Sequence, residues 1–326
     1  MTTTSKQTRY AVSYRLKIAR PWTSIFLLCR LLPTALYHFL ARPARRDIPE
    51  IGYSFLRGLS LKERAIFAFH DAMHDLLFAS YTEITGFKVS PATAPMLNLL
   101  IDLTNCFDEY LDHNLSSGAV LPLDEVLEAA QIRERRYAFR RYLQLFGRAE
   151  PIIAYLREAL TSHYERYVQN LKSASSTLQF EDTLAAAQFD SGAWRRYVIE
   201  VIALFNGHEV RSEALQGFYL FGMIHKFADD MFDLRRDIRT GKPNLVYALI
   251  SQELAELATL QQAMGKRTRL GAAWWETHCP ITYGRYFDHV EHYYSQIASK
   301  KLRFVSDLFV APALVGIDLE HLHRQE

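Results

Sequence analysis

The chain has 326 residues, of which 49% are hydrophobic, with only 14 glycines and 11 prolines. This composition fits a packed globular core and excludes an extended, disordered chain. The formal net charge of +2 gives no reason to expect nucleic-acid binding by the chain as a whole. Three widely separated cysteines form no metal-binding or disulfide pattern, so we expect a cytoplasmic protein.

The first 46 residues form a basic segment with nine Lys or Arg side chains and no acid. Residues 21–40 within it are apolar, but Arg30, Pro21 and Pro33 argue against a membrane-spanning helix, and no signal-peptide cleavage site is evident. Two interpretations remain: a basic amphipathic extension that lies peripherally on an anionic membrane, or a helix packed on the domain. We expect an extension, 1–46, followed by one domain, 47–326.

From residue 61 onward the apolar residues recur at helical spacing, which predicts an all-α domain. The first two helices are predicted to form an antiparallel hairpin. Turn residues and helix-end signals place the predicted helices over 61–85, 92–113, 123–147, 151–171, 191–205, 208–239, 243–264 and 281–309.

The segment KFADDMFDLRRDIRTGKPNLVYAL contains an acidic run within an apolar helix. Asp229, Asp233 and Asp237 follow at i, i+4 and i+8, which places three carboxylates on one stripe. Like charges stacked there require a cation to offset them. A solvated face paired with neighbouring arginines is the alternative interpretation of this run taken alone.

A second oxygen-rich face lies in NCFDEYLDH. Asp108 and Asp112 are one turn apart, and Asn105 and Glu109 fall in the same sector of the helix. Both faces offer oxygen ligands, which predicts Mg²⁺ rather than zinc. Two such faces opposed across a helical cavity would bind a diphosphate through the metal.

These motifs resemble those of a known superfamily. DDMFDLRRD is similar to the second metal-binding motif of class I terpene synthases, (N/D)-D-x-x-(S/T)-x-x-(K/R)-(D/E), with Asp233 in place of Ser or Thr. That departure makes it equally similar to the DDxxD motif of trans-prenyltransferases. The run that begins at Asp108 resembles the first aspartate-rich motif of both families. The resemblance implies an all-α class I isoprenoid synthase bundle around a central cavity.

The same resemblance implies roles for individual residues. The residues that would bind the metal, expected to be three Mg²⁺ ions held together with the substrate diphosphate, are Asp108, Glu109, Asp112, Asp229, Asp233 and Asp237. Arg236 would contact the diphosphate, and Arg285 with Tyr286 resembles the Arg-Tyr pair of microbial terpene synthases. Arg195 or Arg196 is the candidate for an upstream diphosphate-sensing arginine, and Lys242 lies in a GKP stretch like that of prenyltransferases.

A carbocation in the cavity would be stabilised by aromatic faces. Only about a third of the aromatic candidates are expected to face the cavity, because most aromatic residues at helical spacing are core. The candidates are Phe67, Tyr81, Phe107, Phe218, Phe221, Phe227, Trp274 and Trp275.

The expected function is therefore a terpene cyclase that ionises a linear prenyl diphosphate. Chain-elongating relatives carry a GKRxRP-like stretch and an arginine pair after the first motif, and neither is evident here. Head-to-head condensation, as in squalene and phytoene synthases, and chain elongation remain alternatives, and a homodimer is compatible with all three.

An unrelated alternative is a di-iron oxygenase in a helical bundle. His70 and His74 are one turn apart with Asp71 beside them, and they would border the same cavity if the predicted hairpin forms. Such a site needs two Glu-x-x-His units, and this chain offers Asp71-x-x-His74 with no good second copy on a paired helix.

Overall fold

The structure is a computed structural model of the chain. It describes residues 14, 18, 21–41, 47–48, 50–54, 61–116, 121–173, 179–265 and 270–315. Regular structure in these ranges is helical apart from two short strands, which confirms the all-α prediction. The strands β1 (Asp47–Ile48) and β2 (Tyr53–Ser54) pair antiparallel, with Asp47 opposite Ser54.

The helices range from six to 29 residues in length. A π-helical turn, Gln188–Ala193, joins α7 to α8. The bounds are α1 (Pro21–Ala41), α2 (Leu61–Thr85), α3 (Thr93–Ser116), α4 (Leu123–Glu128), α5 (Ala130–Leu145), α6 (Ala149–Ser173), α7 (Phe180–Ala187), α8 (Trp194–Asn206), α9 (Ser212–Thr240), α10 (Leu245–Ile250), α11 (Leu254–Gly265), α12 (Ala272–His278), α13 (Pro280–Gln296) and α14 (Lys300–Val315).

The chain forms two compact units, each assembled from separate stretches. The first contains Met1–Arg30, Ala174–Arg196 and Gln216–Glu326, and the second contains Leu31–Ser173 and Tyr197–Leu215. In the first unit, α10 packs against α7 and α13. In the second, α3 packs along α5, and α5 also contacts α4 and α6. The predicted division into an extension and a single domain is not tested by this grouping.

Several helix boundaries differ from the prediction for local reasons. Helix α2 has the predicted bounds, and Gly86 follows it with a φ of +77°. The predicted helix 123–147 is divided because Ala129 has extended ψ (135°), and 281–309 is divided where Ile297 has a ψ of 116°. Helices α7 and α12 were not predicted, since seven or eight residues carry little periodic signal.

Helix α1 corrects one expectation about the N-terminal segment. Pro21 begins the helix and Pro33 lies inside it, so neither proline interrupts the segment. Residues 23–40 are long and apolar enough to cross a membrane by length and composition, with a mean hydropathy of 1.4, and 28% of this stretch is buried. Arg30 remains the one Lys or Arg side chain within the helix.

Candidate active site

The C-terminal half of α9 carries the second acidic run, and the sequence after it fixes where the helix ends. Gly241 has a φ of +70°, a left-handed conformation that glycine adopts without steric cost. The Lys242 amide donates to the Asp237 carbonyl at 2.9 Å, as in a Schellman motif. Pro243 prevents the helix from continuing, and Asn244 then caps α10. The predicted substrate-binding Lys242 thus follows the helix end directly.

The three carboxylates of the predicted stripe lie on one helix but differ in environment. Asp229 is exposed, Asp233 is half-buried and Asp237 is buried. Arg236 forms an ion pair with Asp233 and lies 3.4 Å from Oδ1 of Asp237. Loss of hydration among neighbouring atoms raises the pKa of the Asp229 carboxyl group. The positive charges of Lys226 and Arg236 oppose this shift only in part. Asp229 is therefore accessible to solvent yet held in a poorly solvated site.

Asp230, adjacent to the stripe, positions the next helix. Its Oδ2 accepts a hydrogen bond from the Leu245 amide at 2.7 Å, and its main-chain carbonyl accepts one from the Asn244 side chain at 2.8 Å. Its Oδ1 lies 2.7 Å from Nζ of Lys226. Burial raises the pKa of Asp230 to about 6, although Lys226 acts in the opposite direction. Asp230 is a structural carboxylate, and the sequence motif assigns it no ligand role.

Lys226 supplies part of the positive charge that the acidic run requires. Burial alone would lower the pKa of Lys226, but the carboxylates of Asp230, Asp229 and Asp237 raise it above its usual range. Lys226 therefore stays protonated in a region of surplus negative charge. The sequence predicted the need for a cation but did not identify this residue.

The stripe is chemically suited to a hard divalent cation. Its donors are carboxylate oxygens, which favour Mg²⁺ over zinc. Among the residues that the structure describes, no three Asp, Glu, His or Cys side chains are grouped so that they could hold a metal ion by themselves. Mg²⁺ is usually bound by one or two carboxylates and completed by water and substrate phosphates, so the stripe fits an ion bound together with a diphosphate.

Arg195, rather than its neighbour Arg196, is electrostatically coupled to the stripe. Burial lowers the pKa of Arg195, and Asp229 partly opposes that shift. The guanidinium carbon of Arg195 lies 5.6 Å from the centre of the Phe221 ring. Arg196 instead acts on Tyr219, whose pKa it lowers against the larger effect of burial. The geometry thus favours Arg195 as the upstream arginine, and the assignment of Arg196 stays a prediction.

A close helix contact fixes the position of Arg195. The π-helical turn Gln188–Ala193 runs directly into α8, whose second residue is Arg195. It approaches α9 so closely that a Cβ atom on Gly222 would lie 2.4 Å from the Ser191 carbonyl oxygen and 2.7 Å from Cγ of Arg195. Only glycine fits there, and π-helical turns occur frequently at functional sites.

Arg285 and Tyr286, the predicted Arg-Tyr pair, make different contacts in the structure. Arg285 Nη1 lies 3.4 Å from Oε1 of Glu253. Tyr286 is fully buried with its ring 5.8 Å from that of Phe227, edge to face. Its hydroxyl has no hydrogen-bond partner among the described residues, and burial raises the pKa of Tyr286. The joint role of Arg285 and Tyr286 stays a prediction.

The first acidic run lies on α3. Asn105, Asp108 and Glu109 are exposed, while the side chain of Asp112 lies outside the described residues. Asp108 belongs to the second compact unit and Asp229 to the first, so the predicted meeting of the two acidic faces stays a prediction. A cavity of about 390 Å³ beside the run is lined by Cys106, Glu109, Tyr110, His113, Asn114, Gln131 and Arg135.

Arg135 brings positive charge to this cavity from the following helix. Its Nε lies 3.1 Å from Oδ2 of Asp102, which raises the pKa of Arg135 despite burial. The sequence contains no arginine soon after Asp112, and this cation was missed because it comes from α5. Nothing in the stretch RERRYAFRR distinguishes Arg135 from its neighbours before the packing of α5 against α3 is known.

The aromatic candidates that the structure describes are mostly core. Tyr81 contacts Nε2 of His208 through its hydroxyl and belongs to the second unit. Trp274 is half-buried, and the side chain of Phe67 lies outside the described residues. The buried candidates are Tyr81, Phe107, Phe218, Phe221, Phe227 and Trp275.

The histidine pair of α2 shows mixed exposure. His70 is exposed, His74 is half-buried with its ring 6.5 Å from that of Phe78, and Asp71 is buried. In the described part of the chain these side chains do not belong to any group able to hold a metal ion. The structure adds no support for the di-iron alternative.

Comparison with known proteins identifies the fold. No family model matches the chain, and no curated protein is significantly similar to it. Among solved structures, the crystal structure of geranylgeranyl pyrophosphate synthetase from Pyrococcus horikoshii Ot3 is similar, with a TM-score of 0.50 and 13% sequence identity. The match covers 86% of this chain and 98% of that one. The fold is that of an all-α isoprenoid synthase.

Proposed function

We propose that this chain is a Mg²⁺-dependent enzyme that acts on a linear prenyl diphosphate, and that it is a terpene cyclase. The observation that carries the proposal is Asp229: a solvent-accessible carboxylate with a raised pKa, coupled to Lys226 and Arg195 on an acidic helix stripe. In an ordinary ion-paired surface, an exposed carboxylate would be well hydrated, whereas Asp229 is not. A carboxylate with a raised pKa beside specific charged partners is a candidate for a functional site.

The carboxylates of the stripe and the nearby arginines would have different roles. Asp229, Asp233 and Asp237 would supply one or two carboxylate ligands to each of several Mg²⁺ ions, which would neutralise the diphosphate charge as Lewis acids. Arg236, which now pairs with Asp233, would turn to the diphosphate oxygens, and Arg195 would bind them from α8. Asp230 and Asn244 would keep the stripe in place by fixing the end of α9 to the start of α10.

Chain elongation is a second candidate, which two observations favour. The similar solved structure is by its title a geranylgeranyl pyrophosphate synthetase. Arg135 and Glu109 line one cavity on the first acidic run, where a second diphosphate could be bound. The absence of the GKRxRP-like stretch from the sequence favours the cyclase.

The decisive experiment is incubation of the purified protein with C10 to C35 prenyl diphosphates and Mg²⁺, with and without isopentenyl diphosphate. Products are then identified by mass spectrometry. Cyclic hydrocarbons or alcohols formed without isopentenyl diphosphate support the cyclase, longer diphosphates formed with it support elongation, and symmetrical dimers indicate head-to-head condensation. No consumption of any substrate contradicts the proposal.

Matched variants test whether the stripe is responsible. Asp229→Asn should lower turnover at least about 100-fold, because the charge of the ligand is lost. Asp182→Asn changes an exposed carboxylate in the first turn of α7 and serves as the control. Equal activity of the two variants would exclude the stripe as the metal site.

A further inference from the structure

The outward face of α1 is apolar except for Arg30, which is exposed at its edge and lies 5.6 Å from the centre of the Phe26 ring. Six of the twelve large hydrophobic side chains that are exposed in the described ranges lie on this one helix, each between 48% and 67% exposed. At 100° per residue they fall within an arc of roughly 140°, so they form a continuous stripe. The six residues are Ile25, Phe26, Leu32, Leu36, Tyr37 and Leu40. Such clustering marks an interaction surface, whereas single exposed apolar residues are normal.

The opposite face of α1 is held on the protein. Leu31, Ala35 and His38 are buried, and Nε2 of His38 lies 2.7 Å from Oδ2 of Asp75 on α2. The His38 side chain is completely inaccessible to solvent. Crossing a bilayer would expose this polar pair to hydrocarbon, whereas a helix lying flat keeps it covered. The structure therefore favours an orientation parallel to a surface.

Charge identifies the surface. The helix contains no acidic residue, and basic residues flank it in the sequence at 15, 17 and 20 on one side and at 42, 45 and 46 on the other. An anionic bilayer complements both flanks while the apolar stripe enters the acyl boundary. A second copy of this chain would present the same basic segment, which contains no acid among its first 46 residues and so offers no complementary charge.

We propose that α1 attaches the protein to the surface of an anionic lipid bilayer, lying in the plane of the interface with its Ile25–Leu40 stripe facing the lipid. The inference does not depend on the enzymatic proposal, because it concerns a different surface and is measured without turnover. It combines the two interpretations of the basic segment: one face of α1 packs on the protein, and the other face binds lipid.

The test is flotation of the full-length protein with vesicles of phosphatidylcholine alone or mixed with phosphatidylglycerol. The wild-type protein should bind the anionic vesicles, bind neutral vesicles more weakly, and lose affinity as salt is raised. The double variant L32Q/L36Q should reduce the vesicle partition coefficient at least about tenfold, since two apolar side chains are lost from the lipid contact. The control is L254Q, which alters a leucine that is 78% exposed on another helix.

Each other outcome overturns the proposal. If the wild-type protein does not float with anionic vesicles at low salt, or if L254Q has the same effect as L32Q/L36Q, the stripe does not bind lipid. A wild-type dimer that L32Q/L36Q converts to a monomer, without vesicle binding, identifies the stripe as a subunit interface. Resistance of the membrane-bound protein to alkaline carbonate extraction indicates a spanning helix. Thermal unfolding by circular dichroism verifies that both variants are folded.

Discussion

The side-chain amide of Asn244 donates a hydrogen bond to Oδ2 of Asp237 at 2.9 Å, and both residues are buried. The same amide nitrogen binds the Asp230 carbonyl, and the side-chain oxygen accepts from the Tyr247 amide. One asparagine therefore connects the acidic run to the first turn of α10. The orientation of the last carboxylate in the stripe depends on this residue.

We expect Asn244→Ala to lower the free energy of unfolding by roughly 2–4 kcal/mol, because it removes a helix cap and the amide that donates to the buried Asp237 carboxylate. Asn244→Ser keeps a capping oxygen but not the amide donor, so it should recover about 1 kcal/mol of that loss. Urea unfolding measures both. Equal stability of the two variants would show that the cap contributes nothing.

The contact between α9 and the π-helical turn predicts opposite results for two glycines of the same helix. Gly222→Ala should destabilise the protein by about 1–3 kcal/mol, because the new Cβ atom would overlap the Ser191 carbonyl oxygen. Gly217→Ala meets only Cδ2 of Leu302 at 3.9 Å and should stabilise by up to about 1 kcal/mol through helix propensity. Chemical denaturation of both variants distinguishes local packing from a general effect of alanine.

Two adjacent arginines test the electrostatics of the stripe. Arg195→Gln removes the guanidinium coupled to Asp229 and should lower turnover on the order of 100-fold if Arg195 binds the diphosphate. Arg196→Gln, one residue later, should have a much smaller effect because Arg196 acts on Tyr219. Steady-state kinetics on the active prenyl diphosphate measure this. A larger loss for Arg196→Gln would identify Arg196 as the upstream arginine, the other alternative left open by the sequence.

His208 predicts a pH dependence of stability that is independent of catalysis. Burial lowers the pKa of His208, and its ring stacks on Phe87 and contacts the Tyr81 hydroxyl. In the unfolded chain this histidine takes up a proton near pH 6.5, while in the folded protein it does so only at lower pH. The free energy of unfolding should therefore fall as pH decreases below about 6.5.

His208→Gln should remove the contribution of His208 to the pH dependence of stability. The unfolding free energy of the variant should therefore change less than that of the wild type between about pH 7.5 and about pH 5.5, the range around the ordinary histidine pKa. Thermal unfolding at several pH values makes the comparison, and groups other than His208 cancel between the two proteins. Parallel pH profiles would show that His208 titrates alike in the folded and unfolded states.

Sequence patterns predicted most of the helices but few of the contacts that define the site. Periodicity placed α2 correctly because 25 regular residues end at a glycine with positive φ. The stripe of Asp229, Asp233 and Asp237 followed from spacing alone. The local partner Arg236 was also visible in the sequence, whereas Arg195 and Asn244 act on these acids through tertiary packing. Lys226 was detectable in principle, because it stands one turn before Asp230.

The N-terminal segment also shows what sequence patterns leave undetermined. Arg30 and the prolines suggested a broken apolar stretch, whereas α1 is continuous through Pro33. Composition could identify a basic, apolar segment but not which side chains turn outward. The folded structure supplies that information, because it shows that Leu31, Ala35 and His38 are buried together.

The rotation of α8 relative to the preceding helix depends on the number of residues in the π-helical turn Gln188–Ala193, as well as on their identity. Such a turn contains about one residue more than an α-helical turn. Deleting a single residue from it would restore regular winding and rotate the preceding helix by roughly 100° relative to Arg195. A one-codon deletion here would therefore be more damaging than most point substitutions nearby, because it would change the direction of a whole helix face.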